Sequence, residues 1–205
     1  MTKHLDIYFL RHTEPLIDAG ICYGQLDCDV NEDYAEQLLK IKKFFQTKSI
    51  DAIYSSPLLR CAKLAEDLAV IKNGLAVRYL ASLKEINFGD WEGMKWDDIP
   101  RIEIDKWNNN RLHFKFPNGE SPREFTQRVL VAYSGLQPTS HSLQRKKTVI
   151  VVVAHAGVIR TLLANILALT FDQSLNISLD KPSISCCSFK DNELDCYDIN
   201  IPLVE

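Results

Sequence analysis

No apolar run in the 205-residue chain approaches the roughly 20 residues that cross a bilayer. The longest uninterrupted one is Val149 to Ala154, and the later VIRTLLANILALTF stretch is broken by Arg160 and Asn165. The first twelve residues, MTKHLDIYFLRH, hold too short an apolar run for a signal-peptide core, so the expected compartment is the cytoplasm. Metal-type cysteine spacing is missing as well. The six cysteines (22, 28, 61, 186, 187 and 196) form no CxxC and no His-Cys pattern, and are read as reduced thiols. Charge of one sign is scarce: 24 Lys and Arg against 27 Asp and Glu leave a net −3. That balance argues against a nucleic-acid binder relying on net positive charge. Repeats, low-complexity tracts and linkers are also absent. What is there is 46% hydrophobic residues and 25% charged, an ordinary globular composition that needs no disulfide or metal staple at this size.

The apolar pattern predicts alternating strands and helices. LDIYFL (5–10) reads as a buried strand ending at Arg11. Asn31 is a good N-cap, and Tyr34, Leu38, Ile41 and Phe45 recur at helical spacing, so a helix is expected over 32–46. DAIYSS (51–56) is a second strand, and Ser56-Pro57 reads as N-cap and first-turn proline of a helix to about Val70. AVRYL (76–80) is a third strand. Residues 81–118 hold all three tryptophans and read as a long excursion with one or two short helices, folding over the site as a lid. Ser121-Pro-Arg-Glu124 is a capping box opening a helix to about Ser134. TVIVVVAH (148–155) has the continuous apolar character of a strand buried on both faces, Gly157 to Leu169 is helical in pattern, and SISCCSF with LDCYDIN forms a hairpin. Together these predict a single domain over 1–205, an α/β sandwich with a mostly parallel sheet.

The position of the polar residues carries the function. Arg11 and His12 follow the first strand, Arg60 lies one turn into the helix after the second, Glu85 follows the third, and His155 ends the strongest apolar strand. Open α/β sheets bind ligands outside the carboxyl ends of their strands, so these groups are expected to meet on one rim. Two guanidiniums bind a tetrahedral oxyanion through charge-assisted hydrogen bonds. An imidazole between them can attack phosphorus once the anion is neutralised, and a carboxylic acid can protonate the departing alkoxide. This is the equipment of a metal-free phosphomonoesterase. Metal ligation by the two histidines is the competing reading, and adjacent Arg11 disfavours a bound cation there, so neither metal nor cofactor is expected.

Five blocks resemble the histidine phosphatase, or phosphoglycerate mutase-like, superfamily. They are Leu10-Arg11-His12-Thr13-Glu14, Ser55 to Ala62 (SSPLLRCA), Leu83 to Gly93 (LKEINFGDWEG), Asn118 to Ser121 (NGES) and Val153 to Arg160 (VAHAGVIR). The resemblance implies a three-layer α/β/α fold, His12 as a phosphohistidine, Arg11, Arg60 and His155 around the phosphate, and Glu85 as proton donor. Gly20 to Asp27 (GICYGQLD) further resembles α-ribazole phosphatases, which adds Gln25 to the substrate-binding candidates. The implied partner is a small phosphate monoester, with α-ribazole 5′-phosphate of cobalamin biosynthesis as the substrate. The alternatives are a broad phosphatase of sugar phosphates or small metabolites, a mutase, and a non-catalytic module that kept the fold.

Two positions depart from the pattern. Thr13 stands where glycine is usual, so a negative φ is expected there. Asp18 stands where relatives carry a phosphate-contacting Asn; ionised and inward it would oppose an anion, so it is expected to face solvent. His4, His113 and His141 have no such context and read as surface residues. Trp91, Trp96 and Trp107, followed by Phe114 and Phe116, read as a satellite core, or as a wall on which an aromatic leaving group stacks.

Overall fold

The structure is a computed structural model, and it describes residues 2–136 and 146–203; the reading of His141 lies outside them. A six-stranded sheet has the order β3-β2-β4-β1-β5-β6. Its strands are β1 (His4–Arg11), β2 (Ala52–Ser55), β3 (Val77–Tyr79), β4 (Lys147–Ala154), β5 (Ser183–Lys190) and β6 (Glu193–Ile201). The first four run parallel to one another, β5 joins antiparallel beside β1, and β6 pairs antiparallel with β5 at the edge. The hairpin turns through Asp191 and Asn192, both at positive φ, the conformation that favours Asn and Asp in two-residue loops.

Strand alternation explains the layers. On β4, Val151 and Val153 face helices α1 (Tyr34–Phe45) and α2 (Leu59–Val70), packing on Ile41, Phe45, Leu64 and Leu68. Ile150, Val152 and Ala154 face the other side, against Phe125 and Val129 of α4 (Pro122–Ser134) and Val158, Ile159 and Leu162 of α5 (Ala156–Ile166). A strand apolar at every position is the consequence of being covered on both faces.

The segment between β3 and α4 contains three 3₁₀ turns and α3 (Arg101–Asn109). It buries Trp91, Ile99 and Phe116 against Cys22 of the connection between β1 and α1, with Phe88, Trp96, Trp107 and Phe114 packed against them. The tryptophans thus build a satellite core, with Trp91 at its centre, edge-on to Trp96 and Trp107.

The differences from the sequence reading are local. The expected cap at Asn31 is not used: α1 begins after Asp33, with no side-chain cap bond. Helix α2 begins at Leu59 rather than at Pro57; the Ser56 hydroxyl accepts the Leu58 N–H at 3.3 Å and also meets His155. The helix expected to reach Leu169 ends at Ile166, with Ala168 at positive φ, and α6 (Phe171–Leu175) starts anew from the Thr170–Gln173 capping box. The Ser121–Glu124 box is formed as expected.

No helix among the described residues is long and apolar enough to cross a membrane.

Candidate active site

Topology makes the crevice. β1 and β4 are parallel neighbours in register, Arg11 beside Ala154. Their onward connections diverge, α1 leaving toward one face and α5 toward the other, which opens a gap outside their carboxyl ends. His12 N–H donates to the Ala154 carbonyl at 3.1 Å, extending the ladder by one residue. The His12 and His155 rings therefore meet with centroids 5.2 Å apart, inclined at 61°.

Both rings are buried, 1% and 0% exposed. His12 Nδ1 lies 2.6 Å from the Thr13 carbonyl. A carbonyl only accepts, so Nδ1 carries the proton and the lone pair is on Nε2. Burial pushes the His12 pKa well below its ordinary value, and the positive charges of Arg60, Arg11 and Lys181 push the same way. His155 is held neutral by burial and then by Arg60 and its histidine neighbour. Its Nε2 is 2.8 Å from Ser56 Oγ, and the Cys61 sulfur lies 3.5 and 3.7 Å from its two ring nitrogens.

Arg60, on the first turn of α2, is fully buried. Its guanidinium donates to the carbonyls of Gly24 at 2.7 Å and Leu26 at 2.9 Å, and it sits over the Tyr23 ring at 5.2 Å. The loop resembling α-ribazole phosphatases is thus the cradle of an arginine. Gln25, within that loop, sends its side-chain N–H to the Glu85 carbonyl at 3.0 Å. Arg11 donates to the carbonyls of Leu179 and Asp180. Burial lowers its pKa, while Tyr23 and Glu85 act on it in the opposite sense.

Glu85 follows a 3₁₀ turn at Ala81–Leu83. Its carboxylate accepts the backbone N–H of Gly157 at 3.0 Å, in the first turn of α5, and that of Ile86 at 3.0 Å. It borders a cavity of about 260 Å³ whose walls include Phe88, Trp107, Phe116, Phe125 and Arg160. The structure therefore brings His12, His155, Arg11, Arg60 and Glu85 to one crevice, with the Gln25 side chain bonded to the Glu85 carbonyl.

Thr13 is buried and is not among the residues at positive φ, and Asp18 is exposed, both as expected. His4 and His113 are both exposed, as expected. No group of three or more His, Cys, Asp or Glu among the described residues is arranged to hold a metal ion.

Several neighbours of the site went unread in the sequence. Lys181 reaches it from the segment before β5 and pairs with Glu14 at 2.6 Å; nothing periodic marks residues 176–182. Ser56 was legible only as a helix cap. Arg128 and Glu120, which grip the Glu85 loop, sit eight positions apart with no local reason to be joined.

Comparison with known proteins bears on the family and the fold. Residues 7–202 match the histidine phosphatase superfamily (branch 1), and the chain belongs to that family; it is a hydrolase of the phosphatase class. Among curated relatives, the adenosylcobalamin/alpha-ribazole phosphatase of Escherichia coli is 26% identical over 180 residues, 85% of each chain. The glucosyl-3-phosphoglycerate phosphatase of Mycolicibacterium vanbaalenii is 30% identical over 177 residues, 81% of this chain and 76% of that one. The crystal structure of the alpha-ribazole phosphatase from Shigella flexneri superposes with a TM-score of 0.83 at 22% identity, covering 96% of both chains, a likeness of fold.

Proposed function

We propose that the protein is a metal-independent phosphomonoesterase that works through a phosphohistidine at His12. The observation that carries this reading is the His12 ring, neutral, with Nδ1 engaged by the Thr13 carbonyl and guanidinium charge close by. In that state Nε2 is the nucleophile. It attacks phosphorus, the P–O ester bond breaks, and its electron pair leaves with the alkoxide, which takes a proton from the acid form of Glu85. Water then attacks the phosphohistidine, the P–N bond breaks, and the Glu85 carboxylate receives the water proton. Arg11, Arg60 and His155 hold the phosphoryl oxygens throughout, and their charge and N–H groups stabilise the transition state. The Arg11 and Arg60 charges make the pair of histidines a poor cation site.

For the leaving group we favour α-ribazole, with the phosphate on its 5′ oxygen, within a cytoplasmic route to cobalamin. Two features support this choice: the GICYGQLD stretch that cradles Arg60, and a cavity beside Glu85 whose walls include Phe88, Trp107, Phe116, Phe125 and Phe171. In this reading the 81–118 excursion belongs to the same domain and roofs that cavity, and Gln25 contacts the substrate with its remaining N–H.

The test is a phosphate-release screen of α-ribazole 5′-phosphate against sugar and nucleotide monoesters, with and without a chelator. It is run beside alkaline quenching of enzyme turning over labelled substrate, to trap an acid-labile, base-stable phosphoramidate. Expected are chelator-resistant turnover, label on wild type and none on His12→Ala, and preference for the ribazole ester. Equal rates across the panel would leave the broad phosphatase standing instead. Complete loss on chelation would sink the metal-free mechanism.

A further inference from the structure

Arg128, on α4, uses every donor it has. A guanidinium carries five N–H bonds in a rigid fork, and five acceptors receive them. Nε donates to Glu120 at 2.9 Å, Nη1 to the carbonyls of Ser82 and Lys84 at 3.0 and 2.8 Å, and Nη2 to Glu120 at 2.6 Å and the Glu85 carbonyl at 2.7 Å. All three carbonyls belong to one short segment, and that segment ends at the residue assigned above to proton transfer. Glu120 in turn accepts the backbone N–H of Asn87 at 2.8 Å. The chain is thereby pinned on both sides of Glu85, and Gln25 supplies a second donor to the Glu85 carbonyl.

We infer that Arg128, together with Glu120, is a positioning residue for the Glu85 proton transfer, fixing the backbone from which that carboxyl reaches the leaving oxygen. The inference rests on Glu85 being the acid, as proposed above. With the main chain held, the carboxylate needs only the Gly157 and Ile86 N–H groups to select one orientation. A shift of about 1 Å in such a group costs up to about 100-fold in rate. Lysine cannot substitute, since it offers three donors from a single point rather than a planar fork.

The experiment exploits leaving-group chemistry. A 4-nitrophenyl ester leaves as a stabilised phenolate and has little use for a proton, whereas an alkyl ester depends on one. Arg128→Lys and Glu120→Gln are assayed on 4-nitrophenyl phosphate and on an alkyl phosphate, beside Glu85→Gln, for kcat/KM, which reports phosphoryl transfer to His12 and not the later hydrolysis that both esters share. Val129→Ala, a cavity variant at the next and fully buried position, reports what plain destabilisation does. Expected is a loss of about 10- to 100-fold on the alkyl ester with less than about threefold on the aryl ester. The expected loss is absent when Arg128→Lys is placed in the Glu85→Gln background, and Val129→Ala shows equal effects on both esters. Equal losses on the two esters in Arg128→Lys, while Glu85→Gln separates them, would overturn the inference and leave the acid assignment intact. If Glu85→Gln itself fails to separate them, the acid assignment falls, and the positioning role falls with it.

Discussion

The backbone N–H of Gly157 donates to the Glu85 carboxylate, and a Cβ at position 157 would run into that same carboxylate and crowd the Phe125 ring. One glycine thus serves two elements. It lets the first turn of α5 come close enough to the Glu85 loop for a helix-end N–H to hold a side chain.

Gly157→Ala is therefore expected to part stability from activity. Alanine is the better helix former by about 1 kcal/mol, and no positive φ stands in its way at this position. Its methyl group displaces Glu85, the flexible partner. Thermal stability should hold or rise while alkyl phosphate turnover falls about 10- to 100-fold. Melting curves and kcat measured on one preparation check this, and an unchanged kcat would show that turnover does not depend on the carboxylate's seat beside residue 157.

Two buried histidines with lowered pKa values set the acid behaviour. Each is neutral when folded and takes its proton at an ordinary value near 6.5 when unfolded. At neutral pH both states are neutral and nothing is lost. As pH falls through about 6.5 the unfolded chain binds protons that the fold refuses, and stability drops by up to roughly 1 kcal/mol per pH unit for each ring. Urea midpoints between pH 7 and 5, above the carboxylate range, should fall in wild type and fall less in a His12→Asn, His155→Asn double variant. By the same sign, the acid limb of kcat/KM for the free enzyme lies below 6.5, because His12 stays nucleophilic there. A limb centred near 6.5 would contradict the buried, cation-flanked ring.

Arg60→Lys removes a fully buried fork that supports two carbonyls. An ammonium cannot serve both Gly24 and Leu26 while facing a phosphate. Each carbonyl left without a donor costs about 1–3 kcal/mol, and a lost oxyanion contact costs about 100- to 1,000-fold in kcat/KM. Calorimetry and steady-state kinetics read the two effects separately. A variant with wild-type kcat/KM would remove Arg60 from the phosphate pocket.

Trp107 belongs both to the satellite core and to the cavity wall beside Glu85. Trp107→Ala is expected to lower kcat/KM for a benzimidazole riboside phosphate about fivefold, the equivalent of roughly 1 kcal/mol of stacking, with ribose 5-phosphate unaffected. Trp91→Ala, which empties the centre of the cluster, serves as the structural control and should affect both substrates alike. Undiminished discrimination in Trp107→Ala removes the ring from substrate recognition.

Much of the architecture could be read without coordinates. The all-apolar run before His155 announced a strand covered on both faces, Ser121 and Glu124 announced a helix start, and Asp191-Asn192 sat between two alternating runs. These are signals of short range, written within a few residues of where they act. A long-range partner stayed out of reach of that reading: Ser56 accepts the Leu58 N–H beside α2, and the same hydroxyl meets His155 from a distant strand end.

Periodicity, caps and turn chemistry are properties of neighbouring residues, so the chain itself determined its elements, their mostly parallel association, and the identity of the groups at the strand ends. Which of those groups touch was decided by folding. The insertion of β4 between β1 and β2 sets His12 beside His155, and the packing of α4 against the loop after β3 joins Arg128 to Glu85. Such contacts depend on where whole elements come to rest, and that is fixed by the burial of two apolar faces at once rather than by the order of residues within any segment.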